Sequence, residues 1–212
     1  MMRLTDAFAM LGVSVVLCAG LLTVLNAAGV FRSAQPSRVW FKLAAVMSLC
    51  AVWVAVGSAH IPIAAYARGI TSDFSITLIV LAAWRLGQYT LGWPAKSQRE
   101  QLAVMVALAI AAVLLYPSAL GWSNWDAYRP GWGSWGMLLT LAVLCVVCFA
   151  WRLTVLPALA ALALLAWSLG LMESGNLWDY LMDPWLSIFA LGFVFIKCTR
   201  FGISLLRKTK QI

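Results

Sequence analysis

The chain has 212 residues, of which 64% are hydrophobic and only 10% are charged, with a mean hydropathy of +0.92. A typical soluble domain carries about 25% charged residues, so this composition excludes an ordinary soluble protein and predicts an exterior that faces lipid. The net charge of +8 does not indicate nucleic acid, because basic residues also mark cytoplasmic loops and contacts with anionic lipid heads.

Seven apolar stretches follow one another along the chain, each close to the length of about 20 residues that a membrane-spanning helix needs. Pro, Gly, Ser and Asn residues separate them. The sequence therefore predicts an all-α, polytopic transmembrane bundle of about seven spans, forming a single domain over residues 1–212. The predicted spans are Phe8–Val30, Val39–Ala59, Phe74–Trp93, Gln101–Leu120, Trp135–Trp151, Thr154–Met172 and Tyr180–Ile196.

Lys and Arg residues are distributed unevenly between the two sides of this predicted bundle. A basic excess marks the cytoplasmic side, so the N-terminus is predicted outside and the C-terminus in the cytoplasm. The short connection at Arg152 leaves almost no loop between the fifth and sixth spans. The outer segments hold Arg3, Arg68 and Arg129, whereas the inner segments hold Arg32, Arg38, Lys42, Lys96, Arg99, Arg152, Lys197, Arg200, Arg207, Lys208 and Lys210.

The predicted outer face collects acids and aromatic residues, a combination that suits a sugar or a phosphate-bearing lipid head. If the seventh span has begun by Asp179, then Asp179 and Asp183 share one helix face, where proximity separates the pKa values of an acid and a base. The alternative is structural, with acids at helix starts and aromatic anchors at the interface. The catalytic candidates are Asp126, Asp179 and Asp183, and the substrate-binding candidates on this face are Arg68, Arg129, Trp125, Trp178, Tyr128 and Tyr180.

Arg85 lies about midway along the third predicted span and is a further substrate-binding candidate. A charge at that depth costs at least about 2.5 kcal/mol on insertion scales, so it is normally paired or extended towards the interface. Gln88 and Tyr89, one helical turn later, form a polar path towards the inner surface. Three interpretations of Arg85 remain open. Its side chain extends towards the interface, it belongs to a structural ion pair or hydrogen-bond cluster, or it has a transport role.

Two predicted outer segments resemble each other, because Trp125-Asp126 and Trp178-Asp179 are each followed by a second tryptophan seven residues after the first. The hairpins that contain them, residues 101–152 and 154–197, are possible parallel repeats. The alternative is that Trp, Asp and Pro are ordinary residues of interfaces and turns.

Cofactor chemistry finds little support in the sequence. His60 is the only histidine, which excludes haem held by two histidines of this chain and a histidine-rich zinc site. Cys145 and Cys148 form a C-x-x-C pair inside an apolar span, where cysteine behaves as a small hydrophobic residue. No cofactor and no metal are therefore predicted.

Three functions remain open. The leading hypothesis is a non-catalytic accessory component that serves the assembly of envelope lipid or glycan. Its Trp-rich outer face would contact a partner or lipid heads. The first alternative is a membrane enzyme acting at the outer leaflet on a lipid-linked phosphate or glycan. The second is a small transporter or channel that uses Arg85. The expected partners are membrane lipids and a membrane protein, and the expected location is the bacterial inner membrane.

Overall fold

A computed structural model describes residues 3–30, 38–122 and 124–209, with side chains described as far as residue 203. Arg32 and Lys210, which the charge count uses, lie outside the described residues. The described residues confirm the all-α prediction, because nine α-helices account for most of them and the two strands are two residues long. The helices are α1 Leu4–Ala27, α2 Arg38–Val52, α3 Ile63–Thr71, α4 Ile76–Thr90, α5 Gln98–Ala119, α6 Trp135–Ala150, α7 Val155–Ser168, α8 Leu177–Leu181 and α9 Pro184–Thr209, and the strands are β1 Ala55–Val56 and β2 Ile61–Pro62.

The prediction of seven membrane-spanning helices is confirmed only in part. Among the described residues, three helices are long and apolar enough to cross a membrane, namely Leu4–Ala27, Gln98–Ala119 and Pro184–Ile203. Two further helices, α6 and α7, are apolar but have only 16 and 14 residues. These helices support a membrane protein, whereas the count of seven stays a prediction.

Two predicted spans differ from the helices that replace them. The second span was predicted to reach Ala59, but α2 ends at Val52 and an antiparallel pairing of β1 with β2 follows. The turn of this hairpin includes Gly57 at φ +71°, a conformation that glycine adopts without steric cost. The predicted seventh span is divided at Pro184, which begins α9 because proline lacks the N–H that a helix interior requires.

Contacts within the chain define two compact units. The first comprises Met1–Ala95 and Ala161–Leu181, and the second comprises Lys96–Ala160 and Met182–Ile212. Helix α7 contributes residues to both. The single domain and the repeated hairpins stay predictions.

In the first unit, α1 packs against α2, α3 and α4. Val13 and Leu22 of α1 are completely buried. Gly12 lets α1 approach α4 closely, since a Cβ atom at this position would lie 2.5 Å from Ile79 Cδ1. Ser14 of α1 is also buried. Its hydroxyl donates to the Met10 carbonyl of its own helix, which removes the cost of an unpaired polar group in an apolar core.

In the second unit, α5 packs along α9. Leu108 and Ala112 of α5 are buried, as is Ala190 of α9, and Ser187 Oγ lies 3.3 Å from the Tyr116 hydroxyl. Helix α6 buries only Met137 and Cys148, and several of its large apolar side chains are more than half exposed, as are several of α5 and α9. A soluble protein would not leave this surface to water, so it is suited to lipid.

A carboxylate ties the start of α7 to the start of α5. Helix α6 ends at Ala150, and Arg152 at φ +56° forms the tight turn that precedes α7. Glu100 Oε1 accepts hydrogen bonds from the Thr154 N–H at 2.7 Å and the Thr154 hydroxyl at 3.1 Å, and Oε2 accepts from the Val155 N–H at 3.2 Å. The fifth and sixth predicted spans are therefore separate helices.

We expect Glu100→Ala to lower the free energy of unfolding by about 1–2 kcal/mol, because the first N–H groups of α7 lose their acceptors. Glu100→Gln, which keeps one acceptor oxygen, should lose less. Thermal and denaturant unfolding of the purified protein in detergent measures the change. The matched control is Gln101→Ala, an exposed neighbour, and equal unfolding of the Glu100→Ala and Gln101→Ala variants would contradict the capping role.

Candidate functional site

The loop between α5 and α6 forms a shallow groove of about 770 Å³ in the second unit. It unites three of the residues that the sequence singled out: Trp125, Asp126 and Arg129. Trp132 and Ser134 also line the groove.

Hydrogen bonds from backbone N–H groups to side-chain oxygens preform this loop. The Ala127 N–H donates to Ser118 Oγ at 3.1 Å, which fastens the loop to the end of α5, and Ala127 itself is buried. Asp126 Oδ1 accepts from the N–H groups of Tyr128 at 3.0 Å and Arg129 at 3.1 Å. A 3-10 turn over Arg129–Gly131 follows. The groove is thus built by the loop's own contacts.

The groove combines exposed aromatic rings with one cation. Trp125 is 62% exposed and Trp132 is 63% exposed. The ring of Tyr128 meets that of Trp132 edge to face, with centroids 6.4 Å apart. Arg129 is exposed, and all three salt bridges among the described residues belong to another arginine. Its guanidinium is therefore available to an anion from outside.

That other arginine, Arg68, lies in the last turn of α3 in the first unit. Its Nε donates to Asp73 Oδ1 at 2.7 Å, its Nη1 donates to Asp6 Oδ1 at 2.9 Å, and its Nη2 lies 3.3 Å from Glu173 Oε1. One guanidinium thus faces three carboxylates. An added phosphate would meet this excess of negative charge, so the geometry does not favour the predicted phosphate contact at Arg68.

These carboxylates also keep Arg68 charged. The hydrogen bond to Asp73 raises the pKa of Arg68 above its ordinary value, partial burial lowers it by a smaller amount, and Asp6 raises it further. Arg68 therefore stays protonated except in strong alkali. Its hydrogen bond also lowers the pKa of Asp6, so the stabilisation from this pair is lost when the pH falls through the lowered Asp6 pKa.

Tyr180, a predicted substrate-binding residue, is completely buried in the first unit. Its hydroxyl accepts a hydrogen bond from the Met172 N–H at 3.1 Å and donates to the Ser174 carbonyl at 3.1 Å. These contacts hold the turn that carries Glu173 to Arg68. The position of Tyr180 therefore suits a structural role.

The remaining acidic candidates serve as local acceptors. Ser174 Oγ donates to Asp179 Oδ2, and the Leu186 N–H donates to Asp183 Oδ1 at 2.9 Å at the start of α9. Since Asp179 lies in α8 and Asp183 precedes α9, they do not share a face of one helix. The structural roles of the aligned residues Asp126 and Asp179 also differ, one capping a turn and the other accepting a hydroxyl.

Two other candidates lie in the first unit. Trp178 is half-buried, and its backbone N–H donates to Asn176 Oδ1 at 2.9 Å. Arg85 is exposed, with Nη1 3.0 Å from Gln88 Oε1 and its guanidinium carbon 4.6 Å from the centre of the Tyr89 ring. Both contacts lie towards the end of α4, as expected for a side chain that extends towards the interface.

Sequence reasoning did not find the partners of Arg68 or the role of Glu100. The signal for the first was the position of these partners, because Asp6, Asp73 and Glu173 lie, like Arg68, in predicted outer segments. Glu100 gave only the signal of a lone acid on the predicted inner side. Its contact with Thr154 joins residues 54 positions apart, which no local pattern specifies.

Comparison of this chain with models of protein families, with curated proteins and with solved structures finds no match.

We expect Arg68→Gln to lower the free energy of unfolding by about 1–3 kcal/mol, because three neighbouring carboxylates lose their shared charge partner. Arg68→Lys should be intermediate, since lysine keeps the charge without the planar fork of donors. Arg129→Gln is the matched control and should change the value by less than about 0.5 kcal/mol. Denaturant unfolding in detergent tests this ranking, which equal losses at the two arginines would refute.

We expect Tyr180→Phe to cost about 1–3 kcal/mol of stability, because it leaves the Met172 N–H and the Ser174 carbonyl without this partner. Hydrogen exchange at the Met172 amide should also become faster. Tyr66→Phe serves as the control, since Tyr66 is 43% exposed. If both variants retain wild-type stability and exchange, the hydroxyl of Tyr180 does not hold this turn.

Proposed function

We propose that the protein is a non-catalytic, multi-pass component of the bacterial inner membrane that assists the assembly of envelope lipid or glycan. In this proposal the N-terminus is outside, the C-terminus is cytoplasmic, and the loop between α5 and α6 lies at the outer surface. This loop contacts a partner protein or lipid heads. The observation that carries the proposal is the preformed, exposed, Trp-rich groove.

The exposure of the tryptophans supports recognition of an external surface. Trp122 and Trp135, which flank the groove residues, are 78% and 80% exposed. Large aromatic rings with polar N–H groups are enriched at membrane interfaces and in the most energetically important positions of protein interfaces. A preformed loop also loses less conformational entropy when it binds.

The contacts of the predicted catalytic acids support binding over catalysis. Asp126 and Asp183 accept backbone N–H groups, and Asp179 accepts the Ser174 hydroxyl. A general acid or base must reach a substrate proton, and these carboxylates already serve local structure. The contacts of Arg85 at the end of α4 likewise give the transporter alternative little support.

We expect Trp132→Ala to reduce the amount of the partner protein or lipid that co-purifies with the full chain from native membranes, because a central aromatic contact is lost. Trp151→Ala is a closely matched control, since Trp132 and Trp151 are both 63% exposed and Trp151 lies at the other end of α6. Quantitative mass spectrometry after gentle purification gives the readout.

Selective loss with the Trp132→Ala variant supports the Trp-rich loop as the contact surface. If neither substitution changes the co-purified material, or if both reduce it equally, this role of the loop is wrong. A thermal unfolding measurement on both variants separates loss of binding from loss of folding.

A further inference from the structure

We propose that the groove between α5 and α6 binds the head group of an anionic phospholipid whose phosphate carries a hydroxyl-bearing substituent, with the phosphate at Arg129. This inference rests on the proposed function and names one ligand class for its contact surface. The groups proposed to bind it are the guanidinium of Arg129, the carboxylate of Asp126 and the rings of Trp125 and Trp132, whose residues all line the groove.

The charge at Arg129 selects the anionic part of the ligand. Among the described residues Arg129 has no salt bridge, whereas Arg68 has three. An arginine presents donors in a planar fork that matches phosphate oxygens. The Arg129 N–H already donates to Asp126, so the side chain, and not the backbone, provides this recognition.

Asp126 and the tryptophans select the remainder of the head group. A carboxylate has about four acceptor sites, and the two described hydrogen bonds of Asp126 use Oδ1. Hydroxyl groups next to the phosphate can donate hydrogen bonds to this carboxylate. The rings of Trp125 and Trp132 cover the apolar edges of the polyol. The pattern therefore fits a phosphoglycerol or a related polyol phosphate.

The position of the groove favours a lipid over a free phosphate ester. The loop connects the end of α5, a helix long enough to cross a membrane, with the start of the apolar helix α6. The exposed rings of Trp122 and Trp135 lie at these two ends, and tryptophan is favoured at the level of lipid head groups. The groove thus lies where head groups are concentrated.

The test uses the full chain in lipid nanodiscs with a phosphatidylglycerol analogue that carries a photoreactive group on its head. After irradiation, mass spectrometry of peptides quantifies the label in the loop of residues 124–134 and near Arg152. We expect Arg129→Gln to reduce loop labelling about fivefold, the effect of one basic residue near an anionic surface. Arg129→Lys should retain most of it, and a phosphatidylcholine analogue should label the loop weakly.

Arg152→Gln is the matched control, because Arg152 is also an exposed arginine at an end of α6. It should leave loop labelling unchanged. The inference is overturned if Arg129→Gln has no effect or if the phosphatidylcholine analogue labels the loop equally well. If Arg129→Gln leaves labelling unchanged but Trp132→Ala loses a co-purified protein, lipid recognition is refuted and the proposed function stands. If Arg129→Gln leaves labelling unchanged and Trp132→Ala loses nothing that co-purifies, both are refuted.

Discussion

The backbone N–H and C=O groups at helix ends need hydrogen-bond partners, and the structure of this largely apolar chain depends on meeting that need. Each unpaired backbone group costs several kcal/mol in lipid, and few side chains are available to pair with them. Ser75, Ser97 and Ser134 cap α4, α5 and α6, while Glu100 and Asp183 accept the first N–H groups of α7 and α9. No buried side-chain nitrogen or oxygen in the described part of the chain lacks a partner. The few polar residues named here therefore stabilise the ends of helices.

This demand bears directly on function. A carboxylate that fixes a turn or a helix start is poorly placed to transfer protons to a substrate, because moving it releases the backbone groups it holds. Asp126 and Asp183 are engaged in this way, and Asp179 accepts the Ser174 hydroxyl. The loop between α5 and α6 still offers exposed indole rings and the guanidinium of Arg129, and these groups favour the proposed binding role.

The contrast between Arg68 and Arg129 shows how surroundings decide the role of one residue type. Arg68 is partly buried and faces three carboxylates, so its donors serve to hold α1, α3 and the turn at Glu173 within the first unit. Arg129 extends from a short turn in the second unit and has no described salt bridge. A sequence count places both on the same predicted face, yet only one can meet an external anion at little cost.

The sequence by itself determined that the chain is helical and apolar enough for a membrane, because composition and hydropathy are properties of local stretches. It also singled out three of the residues that line the groove, Trp125, Asp126 and Arg129, which lie close together in the sequence. The end of α2 at Val52 and the short length of α7 depend on backbone pairing and packing, which hydropathy does not report. The division at Pro184, by contrast, follows from a proline that the sequence already shows. The partners of Arg68 were decided by the tertiary structure, because its contact with Asp6 joins residues 62 positions apart, and only the packing of α3 against α1 brings their side chains together.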